Sequence, residues 1–327
     1  MNRRHLMQGS ALAIGAAAAG LPSLSRAGAE EAAVAAEEHW ARKGSVDLYL
    51  YRKRLPGEGR PVLVLVHGSS FSGRGGFDLQ VPGHPRYSLM DEFARYGFDV
   101  WAMDHEGYGR STRTGSHAGI LVGVEDLEAA MPVVERATGR RSVMMFGQSS
   151  GAIRAGAFAN RHPERVERLV LDAFTWTGEG APEIMRRRAR AAEYRANPQR
   201  KVDRSTFTGI FSRDDPSTFE PAVPEALASF ELAMGDRVPS GTYLDMAVNL
   251  PLVTPEKIAC PVLMLRAEHD GNATDEELLQ FFAALPARDK QFVVMSGTAH
   301  VAVLGTNRHK LWHAMRAFLT DPVRPGA

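Results

Sequence analysis

The chain is poor in the residues that staple small folds or build metal sites. It has one cysteine in 327 residues, Cys260, so no disulfide can form within it. Cys260 adjoins an apolar run and reads as a small buried hydrophobe. No Cys/His cluster has zinc spacing, so no metal site is expected. The glycine-dense run Gly73-Arg74-Gly75-Gly76 lacks the Lys-Ser/Thr pair of a phosphate loop. Charge of one sign is missing as well. The 39 Lys and Arg against 38 Asp and Glu leave a formal net charge of +1, which gives no general attraction to nucleic acid or acidic surfaces. No repeat of solenoid or propeller period is evident. An apolar share of 44% is ample for one large domain, with or without an insertion.

What is present centres on Gly147-Gln148-Ser149-Ser150-Gly151. This Gly-x-Ser-x-Gly pentapeptide follows the apolar run Val143-Met144-Met145-Phe146 and precedes a small-residue helix start. Strand, sharp turn and helix form the context in which a serine becomes a nucleophile. The flanking glycines let neighbouring backbone pass without a Cβ clash. A serine hydroxyl still needs a base, and the base needs an orienting acid. Downstream, the strand-like run Pro261 to Leu265 leads into Glu268-His269-Asp270-Gly271, and Phe292 to Met295 leads into Ser296-Gly297-Thr298-Ala299-His300. The chain order is therefore Ser149, Asp270, His300. Glu268 and Asp172 are the other acids that stand after strands nearby.

Two further pieces lie upstream. Pro61 to Val66 is a continuous apolar run ending in His67-Gly68-Ser69-Ser70, and Phe98 to Met103 ends in Asp104-His105-Glu106-Gly107-Tyr108-Gly109-Arg110-Ser111. With these five pieces in this order, spanning roughly residues 45 to 320, the chain resembles the α/β-hydrolase superfamily. The resemblance implies a mostly parallel sheet with helices on both faces and a serine hydrolase without metal or organic cofactor. Ser149 would be the nucleophile, His300 the base and Asp270 the acid, since Asp-Gly before a helix resembles the usual acid loop. Backbone N–H groups of Ser150 and Ser69 would form the oxyanion hole, and His67 would support that loop. Asp104 and Arg110 read as turn-forming. The expected reaction is cleavage of a small-molecule carboxylic ester. Amidase, lactonase and carbon–carbon hydrolase activities use the same triad, and a non-catalytic binding module on this fold is the reading from another class.

Strand–helix alternation supports the same architecture. Strands are expected at 46–51, 61–66, 98–103, 143–146, 168–171, 261–265 and 291–295. Helices are expected near 87–96, 123–138, 151–161, 274–284 and 307–319, with a capping box from Thr274 to Glu277. Residues 30–43 read as a mobile or helical lead-in. The core would comprise 30–173 and 256–327, interrupted by a helical cap at 174–255. The aromatic content of the cap suggests that Trp176 and Phe211 line an apolar pocket, with Phe71 on its rim. In Arg186-Arg187-Arg188-Ala189-Arg190, about 100° of turn per residue prevents every arginine from facing one cleft.

The amino terminus has Arg3-Arg4 ahead of a short apolar stretch, Ala11 to Leu21, and then Ala27-Gly28-Ala29. Residues 1–29 resemble a twin-arginine export signal with an Ala-x-Ala cleavage site. A periplasmic or secreted enzyme, without a stable membrane span after cleavage, is the expectation.

Overall fold

The computed structural model describes residues 33–321. The arginine pair and cleavage site expected before residue 30 lie outside them. Among the described residues no helix is long and apolar enough to cross a membrane. Nor does any group of three or more His, Cys, Asp or Glu there have the geometry to hold a metal ion.

Ten strands follow in chain order: β1 Ala35–Lys43, β2 Val46–Arg54, β3 Val62–Val66, β4 Asp99–Met103, β5 Val143–Gln148, β6 Val166–Asp172, β7 Gln199–Lys201, β8 Arg237–Pro239, β9 Val262–Ala267 and β10 Lys290–Met295. Eight of them form one sheet, ordered β1-β2-β4-β3-β5-β6-β9-β10. Pairing is antiparallel at β1/β2 and β2/β4 and parallel from β4 through β10.

The inner strands read as unbroken apolar runs because both faces are covered. Val62, Val64 and Val66 of β3 join one apolar cluster and Leu63 and Leu65 join the other. Helix Ile120–Thr138 closes the first face with Ile120, Val124, Leu127, Met131 and Val134, spaced four and three apart as one helical stripe requires. Helix Ser150–Arg161 packs on the same face through Ile153 and Phe158. Helix Arg308–Thr320 closes the opposite face with Leu311, Met315 and Phe318. These placements put the carboxyl ends of β3, β5, β6, β9 and β10 side by side, which is where open α/β sheets bind ligands.

Three local expectations are corrected. Residues 35–43 are not a helical lead-in but the edge strand β1, in register with β2. Their Ala/Glu composition favours helix, yet Glu37 pairs with Arg52 and Arg54, and Glu38 bonds Tyr49 and Arg110. Cross-strand partners override propensity here. Glu277 does not complete a capping box. Thr274 Oγ accepts from Glu277 N–H, but the Glu277 carboxylate instead accepts from Thr177 and Gly178. The segment from 174 to 255 is not wholly helical: β7 and β8 pair as a two-stranded antiparallel ribbon, alongside helices that include Pro182–Ala189, Arg204–Ser212 and Gly241–Val248.

Candidate active site

Ser149 occupies the turn between β5 and its helix with φ 58° and ψ −126°. For a residue with a Cβ this conformation costs on the order of 1–3 kcal/mol and persists only where packing enforces it. The packing is visible at both glycines. A Cβ on Gly147 would lie 2.4 Å from Gly151 O, and one on Gly151 would lie 2.1 Å from Val66 O and 2.5 Å from His67 O. The helix start is thus pressed against the end of β3. Ser149 N–H donates to Asp172 O at 2.9 Å, tying the turn to β6. Arg154, fully buried, donates to His67 O at 3.2 Å from the same helix.

His300, in the loop after β10, reaches back over this turn. Its Nε2 is 3.1 Å from Ser149 Oγ, and its Nδ1 is 3.0 Å from each carboxylate oxygen of Asp270, in the loop after β9. All three side chains are buried. Burial lowers the His300 pKa and outweighs the pull of Asp270, so the ring is neutral near pH 7. Burial would raise the Asp270 carboxyl, but the facing ring, Arg213 and the Asn272 N–H outweigh it and hold the group ionised. Nδ1–H then donates to Asp270 and Nε2 is left as the acceptor facing the serine hydroxyl.

The competing acids stand elsewhere. Glu268 accepts from Gly297 N–H at 2.7 Å and pins the turn that leads to His300. Asp172 is fully buried, and neither of its carboxylate oxygens has a hydrogen-bond partner. Burial, then the nearby charge of Asp270, pushes its pKa well above the ordinary range.

Next to Ser149, Ser150 holds the first helical position, whose N–H has no intrahelical acceptor. Across the turn, His67 Nδ1–H donates to Gly68 O at 2.8 Å, while His67 Nε2 accepts from His105 N–H at 3.0 Å. Because the peptide is trans and planar, fixing the Gly68 carbonyl toward His67 turns the Ser69 N–H the opposite way. Burial keeps His67 uncharged, as both bonds require. Ser69 Oγ donates to Ser150 Oγ at 2.7 Å and accepts from Thr242 at 2.8 Å, so the two loops are bonded to each other and to the inserted segment.

The space over Ser149 is lined by Gly68, Ser69, Ser70, Phe71, Gln148, His300, Arg187, Ile210, Arg213 and Tyr243. Phe71 is on the wall, where expected. Trp176 and Phe211 are not. Trp176 packs on Phe281 and donates to Val253 O, and Phe211 packs on Phe219 inside the second apolar cluster. Their apolar bulk is used in the core, and Ile210 and Tyr243 from the same segment face the cleft instead. Asn272, two residues past Asp270, also escaped the sequence reading. Its Oδ1 accepts from Arg213 at 3.1 Å and its Nδ2 lies 3.2 Å from His300 Nε2. The Asp-Gly-Asn sequence alone gave no signal of that contact.

Residues 86–305 match the family described as serine aminopeptidase, S33. A 2-hydroxy-6-oxononadienedioate/2-hydroxy-6-oxononatrienedioate hydrolase of Paraburkholderia phymatum is 34% identical over 122 residues, 35% of this chain and 36% of that protein. The chain therefore spans about a third of the length of the curated relatives it matches. Among solved structures, the enol-lactonase from Burkholderia xenovorans superposes with a TM-score of 0.63 at 18% identity, over 86% of this chain and 100% of that one. An esterase from Exiguobacterium antarcticum gives 0.65 at 15% identity, over 87% and 100%. At such identities the likeness is one of fold, and the fold is that of the α/β-hydrolases.

The elbow packing generates a stability test. Gly151→Ala must push the helix off β3 and is expected to lower the urea-unfolding free energy by roughly 1–3 kcal/mol. Gly209→Ala, mid-helix with nothing within 4 Å of the added methyl, is expected to be neutral or stabilising by up to about 1 kcal/mol.

Proposed function

The chain belongs to the serine aminopeptidase, S33 family of hydrolases, and from that premise we propose that it cleaves a carboxylic ester through an acyl-enzyme on Ser149. The observation that carries this reading is the hydrogen-bonded row from Ser149 Oγ through the His300 ring to Asp270, at 3.1 and 3.0 Å. His300 Nε2 takes the serine proton as Oγ attacks the carbonyl carbon. Asp270, ionised, holds the ring tautomer and stabilises the imidazolium. The tetrahedral oxyanion is received by the N–H groups of Ser150 and Ser69, each such donor contributing about 3–4 kcal/mol in comparable enzymes. His300 returns the proton to the leaving alcohol, then activates water to release the acid.

A second reading is favoured by the names of the relatives. The Paraburkholderia protein is named a hydrolase of dienedioates, a carbon–carbon cleavage, and the Burkholderia structure an enol-lactonase. Both reactions fit the same nucleophile. A panel of esters, lactones and 2-hydroxy-6-oxononadienedioate separates them by relative kcat/KM. Highest turnover on the esters is the expected result, and preference for the dienedioate assigns the carbon–carbon reaction.

Ser149→Ala is expected to lower kcat by about 10⁴-fold or more with the circular dichroism spectrum unchanged. Turnover within tenfold of the parent would remove Ser149 from the mechanism. For the parent enzyme, activity requires unprotonated His300, so kcat/KM rises with pH through that residue's pKa. Because burial lowers it, the midpoint of the acid limb should lie below the 6.5 of an unperturbed imidazole. A midpoint above 6.5 would contradict a neutral buried base.

Export is part of the proposal. Arg3→Lys combined with Arg4→Lys should leave the precursor in the cytoplasmic fraction. Unchanged fractionation would show that residues 1–29 are not a twin-arginine signal.

A further inference from the structure

The arginines of the inserted segment divide into two groups. Arg186 pairs with Glu183, Arg188 with Glu179 and Arg190 with Glu193. Arg213 bonds Asn272 and lies near Glu183 and Asp214. Arg187 and Arg200 have no acidic partner among the described residues. Arg187 is 5% exposed and donates to Met246 Sδ at 3.4 Å. Arg200 donates to Ser69 O and Ser70 Oγ, and its Nε, also buried, bonds nothing. The two guanidinium groups lie 4.6 and 4.1 Å from the Tyr243 ring.

A buried guanidinium without a counter-charge costs several kcal/mol. Its position indicates what is missing. The space directly over Ser149 is about 20 Å³, room for about one water. It adjoins a vestibule of about 680 Å³. Arg187, Ile210, Arg213 and Tyr243 line both and form the neck between them. Six cationic side chains line the vestibule (Arg186, Arg187, Arg190, Arg200, Lys201 and Arg213) against one acid, Glu183. The vestibule lining therefore carries an excess of positive charge. Tyr243 responds to that excess: burial would raise its phenol, but Arg200 and Arg187 outweigh burial and bring it down to about 7.

We infer that the neck and the adjoining vestibule wall form a carboxylate-binding subsite, in which Arg187 at the neck and Arg200 beside it hold a free carboxylate of the substrate while its scissile carbonyl lies at Ser149. A planar carboxylate accepts two N–H bonds from one guanidinium face, and a single negative charge matches two cations already partly answered by the Tyr243 ring. The substrate class is then an ester or lactone that carries a free carboxylate. The inference rests on the hydrolytic reading of Ser149, but its binding arm does not depend on turnover.

Two measurements test it. The first compares mono-para-nitrophenyl adipate with para-nitrophenyl hexanoate, which differ by carboxylate against methyl. The acid ester should be preferred roughly 10–100-fold in kcat/KM, the range expected for hydrogen bonds to a charged group. Arg187→Gln should bring the ratio close to one, and Arg200→Gln should lower it, so that either variant serves if the other fails to fold. Arg187→Lys should restore part of it. Equal preference in the parent enzyme, or equal losses on both esters in both variants, would overturn the subsite. The second measurement is calorimetric titration of Ser149→Ala with adipate and with inorganic phosphate. Adipate binding that is lost in Ser149→Ala/Arg187→Gln supports the subsite even if no ester is ever cleaved, in which case the ester reading alone fails. No adipate binding, or phosphate binding as tight, overturns the carboxylate assignment.

Discussion

Ser149 sits at positive φ because the chain must turn from the end of β5 into a helix that lies against the end of β3. That close approach is the constraint on which the site depends. It needs glycine at 147 and 151, since a methyl group at either would enter backbone atoms at 2.4 Å or less. It places Ser150 at a helix start with its N–H unsatisfied, and it brings the loop after β3 within bonding distance through Ser69 and Ser150. The hydroxyl, the donors for the oxyanion and the path to His300 follow from one forced turn.

Electrostatics then sorts similar groups into different states. Asp172 ends β6, Asp270 follows β9 and both are buried, yet their pKa values move in opposite directions. The difference is local: Asp270 faces the His300 ring N–H, Arg213 and the Asn272 N–H, whereas Asp172 is raised further by the charge of Asp270 itself. The same sorting separates the arginines. Arg186 and Arg190 are answered by glutamates one turn away, whereas Arg187 and Arg200 meet no carboxylate among the described residues and lie against the Tyr243 ring.

The central sheet was legible in the sequence because strands covered on both faces appear as unbroken apolar runs, and the elbow because close backbone approach admits only glycine. The order of Ser149, Asp270 and His300 followed from where those runs ended. Other features were hidden for physical reasons. Residues 35–43 carry helix-forming alanines and glutamates, and their strand exists because arginines on β2 draw the glutamates across. The aromatic residues of the insertion announced a hydrophobic element but not a direction, and Trp176 and Phe211 turned into the core. Asn272 meets Arg213 across 59 residues of chain, and Arg187 differs from its neighbours only in helical phase. Such facts belong to the folded arrangement rather than to any local pattern.

The central claim is that the row Ser149, His300 and Asp270 makes one serine hydroxyl nucleophilic. A fluorophosphonate probe reads this directly, since it reacts with an activated serine and with few others. Incubation followed by peptide mass spectrometry should find a single adduct, on Ser149, formed rapidly in the parent and at a greatly reduced rate in His300→Ala. No adduct, or an adduct on Ser150 or Ser69 in place of Ser149, would contradict it.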